Sequence, residues 1–338
     1  MKKLLFSVAA LAFCACSNDE VVSENKPTYE PKAISFAPLT KPNTRAADTY
    51  QYAIDGTTFP TDLNMYVAAY QVTPSPSNYF EGTQFIYNNS GGAGSSAKWG
   101  GATPKYWPLS PAYINFLAYA NVTGSAAFNA TNYASAAVIT QNNNSSTQTD
   151  LMYAIGHGEV TQDGNNLTFP TQVDMQFKHA QAWVDFYVKA NSTTETAITV
   201  KSIQLTGAKY SGTYTITHTA YNQNTGQSVA GAWTNLGDEA LVTVPGWSEH
   251  ALTISPVQVG KGLLIVPDDN NQTGDFDSFT VYYTLGGKDY YYTYTPTSTN
   301  VDQAKHYVYN ITFTLHEIFV AATVADWDDV TPTNVSIP

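Results

Sequence analysis

The chain has 338 residues, of which 43% are hydrophobic, so a sizeable core can be buried. Charged residues are only 12%, about half the ~25% usual for soluble domains, which excludes a charge-rich disordered chain. With a formal net charge of −12 the chain lacks the clustered Lys and Arg that a phosphate backbone demands, which argues against a nucleic-acid function. Aromatics reach 13%, with 24 Tyr against 4 Met, a mix that favours strands over helices. The two cysteines, Cys14 and Cys16, stand at the extreme N-terminus. The rest of the chain therefore has no disulfide framework and no Cys-based metal site.

In chain order, Lys2 and Lys3 precede a mostly apolar run from Leu4 to Ala15, the pattern of a secretory signal too short to span a bilayer. Phe13-Cys14-Ala15-Cys16-Ser17 resembles a bacterial lipobox with small Ala15 before the cysteine, although Phe13 departs from the usual Leu. Residues 1–16 then form a lipoprotein signal with Cys16 as the lipidated residue, and Cys14 is the poorer fit. Acyl chains contribute ~0.8 kcal/mol per buried CH₂, enough for several chains to hold a soluble body at a membrane. Residues 17–45 read as a polar, acidic tether followed by a short first strand. In that strand Ile34 and Phe36 alternate with Ala33, Ser35 and Ala37. Arg45 is the only arginine of the chain and stands in a polar, exposed-looking stretch before Ala46. A strand followed by a lone exposed Arg is what a removable first strand would look like; a low-Arg protein must also put its one Arg somewhere.

The body alternates with period two. Strands are expected at Leu63–Val72, Tyr113–Ala120, Leu167–Phe169, Val173–Val188, Thr199–Leu205, Tyr214–Ile216, Leu241–Val244 and Leu263–Val266. Phe279, Val281, Tyr283 and Leu285 alternate up to Gly286-Gly287, which turns the chain into Tyr290–Tyr294, a hairpin signal. Tyr307, Tyr309, Ile311, Phe313 and Leu315 form the next alternating run. No segment shows a capped 3.6-residue repeat, so the fold class is all-β, mostly antiparallel. Length suggests two domains, 46–170 and 171–338, divided after Phe169-Pro170.

Candidate chemistry is sparse. The six histidines form no metal-binding pair, and no nucleophile elbow or phosphate loop occurs; no cofactor or metal is implied and the reading is non-enzymatic. His179, in a strand beside Phe177 and Trp183, reads as a packed or hydrogen-bonded core histidine. In Asp268–Asp277, the residues Asp269, Asn271, Thr273 and Gly274 partly follow a calcium loop, but Thr280 falls where a bidentate carboxylate is required. A hydrophilic hairpin loop is the better reading. In the tail, Ile318, Val320, Ala322 and Val324 are apolar, Trp327 is a large anchor, and Val335 and Ile337 mark a second short strand. The tail can serve as a donated strand or as an ordinary terminal strand of its own domain. Burying four or five such side chains would contribute roughly 6–15 kcal/mol before ordering costs.

Several segments in order carry a family likeness: Ile34-Ser35-Phe36, Thr44-Arg45-Ala46, Lys105-Tyr106-Trp107-Pro108, Ile114-Asn115-Phe116-Leu117-Ala118-Tyr119, and Asp150-Leu151-Met152-Tyr153-Ala154. Phe177-Lys178-His179-Ala180, Leu263-Leu264-Ile265-Val266-Pro267, His306–Ile311 and Ala325-Asp326-Trp327 continue it. The chain resembles the fimbrillin-like pilins and pilus-associated lipoproteins of Bacteroidales, the subunits of type V pili. Ser17-Asn18-Asp19-Glu20 is similar to the surface-export signal of such lipoproteins. The resemblance implies two transthyretin-like β-sandwich domains in tandem and no catalytic residues. It implies an outer-membrane, lipid-anchored precursor that an arginine-specific protease cuts between Arg45 and Ala46, removing the strand with Ile34 and Phe36. The partners implied are other pilus subunits, joined head to tail by strand exchange. Alternatives are a non-polymerising anchor or tip adhesin, or a glycan-binding surface lipoprotein.

Overall fold

A computed structural model describes residues 30–40, 65–88, 98–101, 103–120, 125–128, 137–142, 148–193, 197–216, 221–222, 227–228, 231–268, 275–314 and 318–326. Every regular element among them is a strand. The first ten are β1 (Phe36–Thr40), β2 (Met65–Thr73), β3 (Ser77–Asn88), β4 (Lys98–Gly101), β5 (Ala112–Ala120), β6 (Ser125–Phe128), β7 (Ala137–Asn142), β8 (Met152–Asp163), β9 (Asn166–Thr168) and β10 (Val173–His179). Eight of them form one sheet in the order β10-β1-β4-β3-β2-β5-β8-β9. Because β10 also pairs with β8, at Lys178↔Tyr153 and His179↔Met152, the sheet closes on itself as a ring. Its interior is packed with apolar side chains from every strand of the ring, among them Phe36, Met65, Phe85, Trp99, Phe116, Met152, Val173 and Phe177.

Five of these strands, β3, β4, β6, β7 and β8, were not expected from the sequence. In β8 the alternation is interrupted by Gly156 and Gly158, yet a Cβ at Gly158 would fall on the Trp107 ring, so the strand needs glycine to approach it. The alternation between β2 and β3 is broken by shifts of register around Ala69, which is how bulges disguise a strand.

The second half comprises β11 (Ala182–Ala190), β12 (Ile198–Ala208), β13 (Ser211–Ile216), β14 (Tyr221–Asn222), β15 (Gln227–Ser228), β16 (Ala232–Thr234), β17 (Ala240–Thr243), β18 (His250–Ala251), β19 (Val257–Gln258), β20 (Leu263–Ile265), β21 (Ser278–Leu285), β22 (Lys288–Tyr294), β23 (Lys305–Phe313) and β24 (Ile318–Asp326). Sheet β19-β11-β23-β24, with β20 also on β11, faces sheet β17-β12-β21-β22, with β18 also on β12. Phe186, Phe279, Tyr309 and Phe313 lie in the core between them. The expected hairpin is β21–β22, turned by Gly286 and Gly287 at φ +59° and +76°, the left-handed conformations that a two-residue turn requires.

The run Val173–Val188, expected as one strand, is broken at Ala180-Gln181. Val173–His179 stays in the ring as β10, although it lies beyond the boundary expected after Phe169-Pro170. No glycine or proline marks the break. Tertiary bonds make it: Ala180 N–H donates to Leu151 O, and Gln181 O accepts from Ala304 N–H, both at 2.9 Å. The halves also interlock, because β13 pairs with β7 in a four-stranded sheet, β16-β13-β7-β6. Tyr214 and Trp233 from this sheet pack with Tyr70, Tyr119 and Tyr153 on the outside of the ring.

Candidate functional site

The short first strand is an integral stave of the ring. Ile34 and Phe36 are 3% and 2% exposed. The Phe36 ring lies edge-on to Phe85 (4.7 Å, 86°) and to Phe116 (5.3 Å, 81°), the arrangement aromatic quadrupoles prefer. Along its full length β1 runs parallel to β10, from Phe36↔Val173 to Thr40↔Phe177. Its other edge is held by much less, the single pair Phe36↔Trp99 with β4. Ahead of it, Ile34 N–H donates to Lys105 O (2.7 Å) and Trp107 N–H donates to Lys32 O (2.9 Å). Without this strand the ring has a slot between β10 and β4, floored by Phe85, Phe116, Val173, Met175 and Phe177.

Of the tail residues, Ile318, Val320 and Val324 pack against the C-terminal core and Ala322 is buried in it. They belong to β24, which pairs antiparallel with β23 from Phe313↔Ile318 to Lys305↔Asp326. In this molecule the first tail segment is thus the outer strand of its own sheet. Cys16, Arg45, Ala46, Trp327, Val335 and Ile337 lie outside the described residues.

Buried polar groups concentrate elsewhere. Seven polar or charged residues are buried among those described, and five of them, Asp150, His179, Gln181, Asp185 and His306, surround the β10–β11 crossover. His179 Nδ1 sits 2.9 and 2.8 Å from the two Asp150 oxygens. Gln181 Oε1 accepts from Leu151 N–H (2.9 Å). His306 Nε2 lies 3.0 Å from Asp185 Oδ2, with its ring stacked 4.0 Å from that of Trp183. Trp233 Nε1–H donates to Ala180 O (2.7 Å). Burying ions costs several kcal/mol each unless they are paired, so such a cluster serves geometry more than stability. Here it ties the ring to the C-terminal sheets.

The acidic segment is built as a loop clamp. Asp268 pairs with Lys209 at 2.8 Å, while the Asp275 carboxylate accepts the backbone N–H groups of Asp268 and Val301, both at 2.6 Å. Residues 269–274, which include Asp269, Asn271, Thr273 and Gly274, lie outside the described residues. Among the described residues no three His, Cys, Asp or Glu side chains gather as metal ligands. Burial holds the phenols of Tyr119, Tyr210, Tyr214 and Tyr309 well above their ordinary range and pushes that of Tyr307 up to about 12. These tyrosines stay neutral at physiological pH; Tyr214 Oη–H donates to Gln303 Oε1 (2.6 Å) and Tyr307 Oη accepts from Asp302 N–H (2.9 Å).

An all-β chain with a closed ring of strands and a second half of facing sheets defines a β-sandwich protein. The chain belongs to the fimbrillin-like family, whose model matches residues 44–327. The match begins after β1, which lies ahead of it. Among curated proteins none matches the sequence. Among solved structures, a candidate cell adhesion protein of Bacteroides ovatus has a TM-score of 0.54 at 14% identity, covering 88% of this chain and 99% of that one. This likeness shows the fold. A candidate cell adhesion protein of Bacteroides uniformis scores 0.49 at 15% identity, covering 87% of this chain and 98% of that one. A fimbrial protein of Bacteroides vulgatus scores 0.46 at 12% identity, covering 87% and 99%. Membership of the fimbrillin-like family makes the chain a fimbrial protein of the cell surface.

Proposed function

We propose that this chain is a structural subunit of a type V fimbria that assembles by strand exchange and supports adhesion. It reaches the outer membrane on lipids at Cys16. An arginine-specific protease cuts after Arg45, the strand carrying Ile34 and Phe36 leaves with the lipid, and residues 46–338 remain. The tail of a neighbour, drawing on Ile318, Val320, Ala322, Val324, Trp327, Val335 and Ile337, fills the slot. Two sandwich domains in tandem carry the acceptor slot and the donor tail.

One observation carries this reading: the strand proposed to leave is also the one that closes the ring. It is held along one edge by β10 and at a single residue pair by β4. Its loss exposes apolar floor and two strand edges at once, and exposed edges pair with any extended segment available. Head-to-tail contacts that do not close into a ring generate fibres. Brief digestion with an arginine-specific protease tests the proposal. The expected outcome is one product beginning at Ala46, followed by ladders of oligomers that survive unheated gel loading. A product that stays monomeric would overturn strand exchange and favour a lipid-retained anchor, a tip adhesin or a glycan-binding surface protein.

A further inference from the structure

Eight large apolar side chains are exposed among the described residues; Tyr290 and Tyr291 are adjacent on β22, and Tyr106 (46%) and Leu109 (52%) stand three positions apart in the loop before β5. The loop that carries them is fixed from inside. Trp107 between them is buried in the ring, edge-on to Phe116 at 5.8 Å. Tyr79 Oη–H donates to Tyr106 O (2.6 Å), a bond that does not depend on the first strand. Pro104, Pro108 and Pro111 restrict the backbone on either side. The loop therefore holds a tyrosine and a leucine out in water without the ordering cost that usually weakens a loop contact.

Its position gives it a partner. The loop pairs with residues 32–34 at the end where the first strand enters the ring. The strand then runs toward Thr40, beside Phe177 at the far end. A strand laid in the same slot with the same polarity enters beside Tyr106. If that strand is a C-terminal tail, the body it belongs to precedes it and sits outside this end of the slot. We infer that Tyr106 and Leu109 form a second contact between neighbouring copies, a platform on the acceptor that receives the C-terminal half of the donor subunit.

This inference rests on the strand-exchange reading, and the test separates the two. Full chains are cut after Arg45 and their assembly followed by light scattering and unheated gels. Three forms are compared: unsubstituted chain, Tyr106→Ser with Leu109→Ser, and a control with Ile86→Ser, an exposed apolar residue on β3 rather than on the C-terminal half. All three should melt alike before cutting, because every substituted side chain is exposed. The platform variant should assemble at least about tenfold more slowly, or need about tenfold more protein, than the other two. Equal assembly of all three forms would overturn the platform and leave strand exchange standing. Failure of the unsubstituted chain to assemble would overturn both.

Discussion

Replacing Phe36 by Ala removes the one large side chain that the first strand places between Phe85 and Phe116. The site is 2% exposed and its two edge-on neighbours belong to different strands of the ring, β3 and β5. Those neighbours cannot both relax inward, so lost transfer energy and the residual cavity add; the expected loss is about 3–5 kcal/mol. Phe36→Leu keeps most of the volume and should cost less than about 1.5 kcal/mol. Denaturant unfolding of the uncut chain, followed by tryptophan fluorescence, measures both. Trp99 and Trp107 lie in the same core and report on it, whereas Trp183 belongs to the C-terminal sheet. If Phe36→Ala costs less than about 1 kcal/mol, the strand is not a stave of the ring and the argument from its burial fails.

Asp150→Ala takes the carboxylate away from buried His179 and should destabilise by about 3–5 kcal/mol; thermal melts should show the double variant with His179→Ala losing less than the sum of the two single losses. Gly158→Ala drives a methyl group into the Trp107 ring and should cost about 1–3 kcal/mol, read as a lowered denaturant midpoint. The folded-state ionisation of Tyr307 is raised by burial to about 12, above the ~10 of an unfolded tyrosine. The folded state thus holds a proton that the unfolded state has released, so stability is intact below pH ~10 and falls as the pH rises towards ~12. Melts across that window should show the fall, and phenolate absorbance of the buried tyrosines should appear only as the chain unfolds.

Local patterns were legible wherever one face is wet. The hairpin at Gly286-Gly287 and the alternation of Tyr307 to Phe313 carry their geometry in the residues themselves, as do Ile34 and Phe36. What escaped the sequence is non-local. The break at Ala180-Gln181 has no turn residue and is made by Leu151, Trp233 and Ala304. The partners of His179 and His306 lie 29 and 121 residues away in the chain, so the histidines alone could not announce the crossover cluster. Pairing of β7 with β13 across the two halves has no local signature either. For the candidate site, the first strand was visible as an alternating pair, whereas its parallel seat on β10 depends on ring closure. Trp107 drew notice only as part of a family-like segment, although it anchors the loop at the slot mouth.

Both cysteines, Cys14 and Cys16, precede Arg45, so a thiol dye on the unlipidated full chain marks only the leader. After digestion at Arg45, dye and protein are followed together through size separation. Oligomers free of dye, with the label recovered as a released peptide, are the result predicted for a plug displaced by a neighbour's tail. Oligomers that keep one leader per chain would contradict it, because the slot would then never have been vacated.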